Sequence, residues 1–222
     1  MKKIILILVA INCINYNAVS QENKDSNEDK ENRTDLRKRL LVGLKFGANY
    51  SNVYDAKGDN FQADSKLGLA AGAFLAIPIG KYIGVQPEVL YSQKGFHATG
   101  MLFGSNYDFT RTTSYLDVPL LFSLKPVKFL SLLAGPQYSY LLKQRDVFIN
   151  SNSSIAQETE FKNDNIRKNT LCFLGGADIT VKHVVVSARA GWDLQQNNGD
   201  GSSLVPRYKN VWYQATIGFR LY

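Results

Sequence analysis

The chain has 222 residues, 45% hydrophobic and 20% charged, with a mean hydropathy of -0.19, which is too polar for a bundle of membrane helices and too apolar for a disordered chain. Two Cys and two His beside twelve Tyr, twelve Phe and two Trp leave little material for metal or thiol chemistry and favour β-structure. The formal charge of +7 would point to nucleic acid only if it were gathered into a basic stripe, and none runs along the sequence.

Residues 1–20 have the form of an export signal. Lys2 and Lys3 precede the apolar run Ile4 to Ile11, and Ala18-Val19-Ser20 offers the small-x-small pattern a signal peptidase accepts, so cleavage is expected before Gln21. The run is too short to span a bilayer. Asn12 before Cys13 replaces the small residue a lipobox requires. Removing the segment leaves Cys172 as the only cysteine, so no internal disulfide is expected.

Residues 21–39 hold twelve charged side chains, six of each sign, and almost nothing apolar. Such a stretch buries too little surface to offset its chain entropy and reads as a flexible tether. From Leu40 onward 18 basic and 13 acidic residues remain. Arg37-Lys38-Arg39, just before the first expected strand, stand where lipid phosphates would lie or are simply a solvated linker end.

Residues 40–222 alternate with period two. Eight strands are expected near 41–50, 67–79, 82–93, 107–124, 129–142, 170–181, 184–193 and 211–221. One face of each is apolar, as with Val42, Leu44, Phe46, Ala48 and Tyr50 in the first and Val211, Tyr213, Ala215, Ile217, Phe219 and Leu221 in the last. The one Asp, Glu, Lys or Arg on that face is Asp108, at the outer end of the fourth. Short links at Gly80-Lys81, 125–128 and Lys182-His183 alternate with long polar ones at 51–66, 94–106, 143–169 and 194–210. Tight turns at one end and long loops at the other are the plan of an eight-stranded antiparallel up-and-down transmembrane β-barrel of the small outer-membrane type. An even strand number puts both termini on the tight-turn side, which is expected to face the periplasm, with the long loops extracellular.

Alternation also fits a soluble barrel with its apolar face turned inward around a ligand, so the polar face has to decide. A solvent coat would be dense in charge. Here that face carries glycines at 43, 47, 68, 72, 84, 135, 176, 191 and 218, as a narrow lumen requires. Its mid-strand charges are Lys45, Glu88, Asp117, Asp178, Arg189 and Arg220, three of each sign. On an enclosed face they imply a hydrogen-bonded network filling the lumen, and no open pore. Tyr50, Tyr91, Tyr138, Tyr140, Trp192 and Tyr213, outward and often near strand ends, fit aromatic girdles at the two membrane interfaces. Pro78, Pro87, Pro119 and Pro136 fall inside the strands, where each removes a ladder donor, so bulges or breaks are expected. Strand two is apolar on both faces, with Phe74 inward.

The first strand VGLKFGANYSN, the hairpin around PIGKYIGVQPEVLYSQKG, the segment SYLDVPLLFSLKP and the closing YQATIGFRLY together resemble the PorT-like outer-membrane β-barrel family of the Bacteroidetes. Tyr115 to Leu121, YLDVPLL, is the most specific part. The resemblance implies shape and location, and through the founding protein a link to type IX secretion. It supplies no catalytic residue, since the motif holds none.

An enzyme acting on lipids from the outer rim would need a His near a Ser or Asp. Only His97 is placed for this, near Ser92, Thr99 and Ser105, while His183 sits in a tight turn at the opposite end. No zinc spacing, phosphate-cradling glycine loop or CxxC is present, so neither metal nor cofactor is expected. The chain reads as a non-enzymatic outer-membrane barrel with a structural or interaction role. Its expected partners are outer-membrane lipid, the barrel-assembly machinery during insertion, and a periplasmic or surface protein. An accessory part in protein secretion is the first alternative, with the tether docking a periplasmic partner, and a rim-located lipid-modifying enzyme the second.

Overall fold

The computed structural model describes residues 36–57, 62–102, 105–150, 153–159, 167–197 and 207–221. The chain divides into two units, Met1–Leu36 and Arg37–Tyr222. The expected signal segment and most of the tether lie outside the described residues.

Nine strands make one sheet: β1 (Leu41–Lys57), β2 (Gln62–Pro78), β3 (Ile83–Leu102), β4 (Ser105–Val127), β5 (Leu130–Asn150), β6 (Ser153–Thr159), β7 (Asn169–Val181), β8 (Val184–Asp193) and β9 (Arg207–Arg220). Every pairing is antiparallel, and β1 pairs with both β2 and β9 while β4 pairs with both β3 and β5, so the sheet closes on itself. The outer part of β5, from Gln144 to Asn150, pairs with β6, whereas Leu130 to Tyr140 pairs with β7. The short β6 and β7 therefore share one position, and the barrel is eight-stranded.

Orientation of the faces follows from exposure. Leu44, Phe46 and Ile217 are 58%, 62% and 66% exposed, whereas Lys45 and Arg220 on the intervening face are 3% and 4% exposed. The oily side looks outward and the ionic side inward, which excludes a water-soluble barrel with an apolar interior. A closed sheet also leaves no backbone edge unpaired in lipid.

The three tight turns fall at or beside the expected links, the second at 128–129 because β4 runs on through Val127. Ile79 and Gly80 donate their N–H groups to the Ile83 carbonyl at 3.0 and 3.1 Å, Lys128-Phe129 joins β4 to β5, and Lys182-His183 joins β7 to β8 with Lys182 at φ 52°. At the other end the strands outrun expectation: much of 51–66, 94–106 and 143–169 is ladder and not loop. Apolar alternation ends where the outer face leaves the oil, but hydrogen bonding between strands does not need oil. At the prolines the ladder loses pairs without slipping: Glu88 and Val89 drop out of the β3–β4 pairing beside Pro119, and Leu120 and Leu121 out of the β4–β5 pairing beside Pro136. The β3–β4 register is the same at Pro87 as at Leu90, and the β5–β7 register is unbroken through Pro136. Shifts fall instead at Tyr54/Lys57, Ser65/Ala70, Ser114/Tyr115 and Leu124/Val127. Losing one donor in a closed, two-sided ladder costs less than dislocating every side chain of a strand to the wrong face.

Inside, large and small side chains interlock. Phe74 does point inward and is 4% exposed, made possible by Gly43, where an added Cβ would lie 2.5 Å from the Phe74 ring. Trp212 fills the lumen with Leu121, Leu133, Cys172 and Leu174, and Gly191 gives it room, since a Cβ there would come within 2.4 Å of the indole.

Candidate functional site: the barrel interior

Three tiers of polar side chains stack along the axis. In the first, Lys45 of β1 and Arg189 of β8 reach the same carboxylate oxygen, Glu88 Oε1 of β3, at 2.9 and 3.0 Å. Arg189 Nη2 also donates to both oxygens of Asp178 on β7, at 2.8 and 3.0 Å. Gln86 Nε2 bridges the two acids, 2.9 Å from Glu88 and 3.1 Å from Asp178. Two cations and two anions are thus mutually compensated in a space almost without solvent contact. Glu88 Oε2, Arg189 Nε, Ser187 Oγ and Thr216 Oγ1 have no hydrogen-bond partner among the described residues, which leaves polar positions suited to water.

Above them Asn49 donates to Ser92 Oγ at 2.8 Å and accepts from Gln214 at 2.9 Å. The second ionic tier joins Lys94 Nζ to Asp117 at 3.1 Å, with the ammonium 3.6 Å from the Trp212 ring centroid and 4.8 Å from that of Tyr115. Cys172 donates to Asp193 Oδ1 at 3.1 Å, and the other Asp193 oxygen accepts from the backbone and side chain of Asn210. At the loop end Arg111 forks onto Asp146 with two bonds of 2.8 Å and donates to the Tyr208 hydroxyl at 3.1 Å, over the rings of Phe96 and Phe109. A planar guanidinium suits this place because it satisfies a carboxylate bidentately and stacks on aromatic faces at once.

Of the six interior charges read from the sequence, the structure brings Lys45, Glu88, Asp178 and Arg189 together. Asp117 is inward but belongs to the separate Lys94 pair. Arg220 is inward yet joins neither group, since its Nε and Nη1 have no acceptor among the described residues. Lys94 and Asp146 stand just beyond the expected strands, although inward parity continues to place Lys94, and Arg111 and Asp193 stand at the polar ends of theirs, outside the mid-strand set.

The sequence fits the pattern of a family described as outer membrane protein beta-barrel domain over residues 19–197. The chain belongs to that family, and its place is the outer membrane. No curated protein matches the chain significantly. Solved structures similar to this barrel include the attachment invasion locus protein Ail of Yersinia pestis, at 13% identity and TM-score 0.42 over 81% of this chain and 98% of Ail. Neisserial surface protein A is similar at 10% identity and TM-score 0.42, covering 80% and 96%. OprG of Pseudomonas aeruginosa is similar at 11% and 0.40, covering 85% and 100%.

On the outside of this outer-membrane barrel, Tyr50, Tyr91, Tyr138, Tyr140, Trp192 and Tyr213 are all exposed. They do not divide between two levels. Tyr50 pairs with Tyr213, Tyr91 and Tyr140 both pair with Leu116, and all six sit at the loop-side edge of the apolar stretch of their strands. The large exposed aromatics at the opposite end are Tyr82, Phe129 and Phe219. Eight residues separate Val42 from Tyr50, about 20 Å along the axis of a barrel with strands tilted near 40°, the scale of an outer-membrane apolar band.

His97 faces outward beyond that girdle. Its Nδ1 lies 2.8 Å from Thr110 Oγ1, directly across the ladder, and its Nε2 lies 3.2 Å from Asp108. Ser92, near His97 in sequence, is buried inside the barrel. Among the described residues no group of three or more His, Cys, Asp or Glu is placed to hold a metal ion.

Proposed function

We propose that this outer-membrane barrel is a non-enzymatic surface platform of the PorT-like type, its lumen closed by side chains, its termini in the periplasm and its long hairpins outside. The observation that carries the reading is the Glu88–Arg189 contact, in which opposite walls meet through buried, mutually neutralised charges. A lumen crossed in this way has no continuous path for solutes, and the surfaces left for recognition are the hairpins of β1 through β6 and the terminal end. Planar-bilayer recordings are expected to give no steady conductance from the purified barrel, and protease shaving of intact cells is expected to cut the hairpins. A stable open channel, or hairpins protected in intact cells and cut only after outer-membrane lysis, overturns the reading.

An accessory role in protein secretion is the second reading, favoured by the segment 21–39 with its twelve charges, a composition suited to docking a periplasmic protein. Deleting 21–39 then lowers export of surface proteins while the barrel itself still inserts. Normal export removes this reading.

The Thr110–His97–Asp108 chain resembles the order of a hydrolytic triad, but two features speak against lipid hydrolysis. Six residues, about 20 Å of strand, separate His97 from Tyr91 at the apolar belt, which lifts the imidazole well above lipid ester bonds. His97 and Thr110 lie opposite one another within a continuous β3–β4 ladder, with no helix start or turn there to present converging N–H groups to an oxyanion. His97→Ala is expected to leave lipid composition unchanged, and an altered acyl pattern would restore the enzyme alternative.

A further inference from the structure

The terminal end of the barrel carries a charge pattern that the loop end does not. Its three tight turns and two chain ends contribute Arg37, Lys38, Arg39, Lys81, Lys125, Lys128, Lys182 and Arg220. Across residues 36–42, 78–84, 124–131, 180–185 and 219–221 there is no Asp or Glu. At the loop end cations and acids are interleaved, as in the Arg111–Asp146 pair and in Asp64, Asp108 and Asp193 among Lys143, Arg145 and Lys168.

Position sharpens the pattern. At each turn an exposed lysine sits beside a large exposed apolar residue: Lys81 with Tyr82, Lys128 with Phe129, Lys182 with Val181. The start of the barrel repeats the pairing in Arg39 with Leu40, and at its end Leu221 is exposed beside the buried Arg220. The apolar partners are 44–61% exposed and form the last row of the oily belt. A cation one residue beyond the edge of the apolar band lies at the level of lipid phosphates, with its neighbour among the acyl chains. Arg37, Lys125 and Arg220 turn inward around the mouth and are buried, Arg37 over the Tyr82 ring at 5.2 Å. Arg220, with Arg39 within electrostatic reach, keeps two guanidinium nitrogens without an acceptor among the described residues. These inward cations add positive potential behind the exposed lysines, which are the ones that meet the headgroups.

We infer that the terminal rim is a phosphate-binding collar whose ligand is the headgroup of anionic phospholipid in the leaflet that this end of the barrel meets. The inference rests on the membrane-spanning reading but not on which leaflet that is, nor on the platform role. Zwitterionic headgroups carry their own cation and neutralise the collar poorly, so selectivity follows net lipid charge. A free phosphate ion supplies the same oxygens but no acyl chain to lie against Tyr82, Phe129 and Val181, so it binds the rim weakly.

The test uses the full-length protein from mixed micelles of phosphatidylglycerol and phosphatidylcholine, with retained lipid read by native mass spectrometry. Phosphatidylglycerol is expected to be retained in roughly threefold or greater preference, lost at high salt as the charges are screened. K81Q/K128Q/K182Q is expected to abolish the preference, K81R/K128R/K182R to keep it, and K143Q/R145Q at the loop end to leave it unchanged. Heat-modifiable gel mobility confirms that each variant is folded, and the arginine variant guards against a structural effect of altering three turns. Equal retention of the two lipids, or an unchanged preference in the glutamine variant, overturns the collar. Displacement of the lipid by millimolar inorganic phosphate overturns it too, by showing a soluble-anion site, and so does titration of the collar by an acidic peptide without any lipid preference. A wild-type barrel that fails to insert into lipid at all would instead remove the membrane reading on which both rest.

Discussion

Glu88 on β3 and Arg189 on β8 stand four strands apart in either direction around the barrel and meet at 3.0 Å across its axis. Because the lumen is this narrow, each ion is held by walls that cannot move apart without breaking the backbone ladder. Arg189→Met leaves Glu88 and Asp178 buried with only Lys45 and Gln86 to compensate them, and is expected to cost about 3–5 kcal/mol. Urea unfolding of the barrel in lipid vesicles measures the loss. Removing both charges in Glu88→Gln, Arg189→Met should restore part of it, because the desolvation cost disappears with the pair. A double variant as unstable as the single one would mean that the contact stabilises by shape and not by charge.

Gly191 and Trp212 give a second prediction, of opposite physics. The Gly191 Cβ position is filled by the indole at 2.4 Å, and Leu174 stands 2.8 Å away. Gly191→Ala therefore overfills the lumen and should cost about 1–3 kcal/mol. Gly175 faces outward with its nearest neighbour 3.8 Å away, so Gly175→Ala is the control, within about 0.5 kcal/mol of wild type. Equal effects at the two positions would contradict the inward packing of Trp212.

How much of this was legible beforehand divides by physical cause. Parity along a strand is local and strict, so Lys45, Glu88, Asp178 and Arg189 could be put on one face from spacing alone. Their mutual contact follows only once the strand number makes the lumen narrow. Partner choice is not local: Lys94 meets Asp117 although the ladder sets Lys94 opposite Thr113 and Asp117 opposite Leu90, a diagonal contact that sequence does not display. Arg220 was misread as part of the network because parity gives its side but not its depth. The extended hairpins escaped notice because outside the oil both faces are polar and the period-two signal vanishes, although β4 and β5 run on to pair Tyr107 with Asn150.

Lys182 occupies the left-handed region at φ 52°, which costs a side-chain-bearing residue what glycine avoids. Lys182→Gly should stabilise the β7–β8 turn by up to about 1 kcal/mol. The same change removes one collar cation, so stability should rise while retention of anionic lipid falls. The two readouts moving together would argue that Lys182 is there for the turn and not for the rim.

At the loop end Arg111 ties β4 to β5 through Asp146 and to β9 through Tyr208. Arg111→Lys keeps the charge but not the fork. A loss of about 1.5 kcal/mol is expected, confined to the hairpin beyond the belt. Hydrogen exchange should then quicken about tenfold at amides near 108–113 while amides near 118–122 keep their protection. Uniform acceleration would show that the hairpin and the membrane-spanning part unfold as one unit.

The outward face of β1 tests the bilayer itself as solvent. Phe46, 62% exposed and paired with Ile217, lies mid-belt, whereas Leu221 lies at the rim beside Arg220. Phe46→Arg should cost about 2–4 kcal/mol and Leu221→Arg no more than about 1 kcal/mol, since the penalty for a cation falls with distance from the midplane. Unfolding in phosphatidylcholine vesicles separates the two. In water the order would collapse, because an exposed arginine on a solvated sheet costs little wherever it stands. A flat profile across Phe46, Ile217 and Leu221 would thus argue that no hydrocarbon surrounds this face, and a graded one fixes the midplane of the belt by energy and not by residue type.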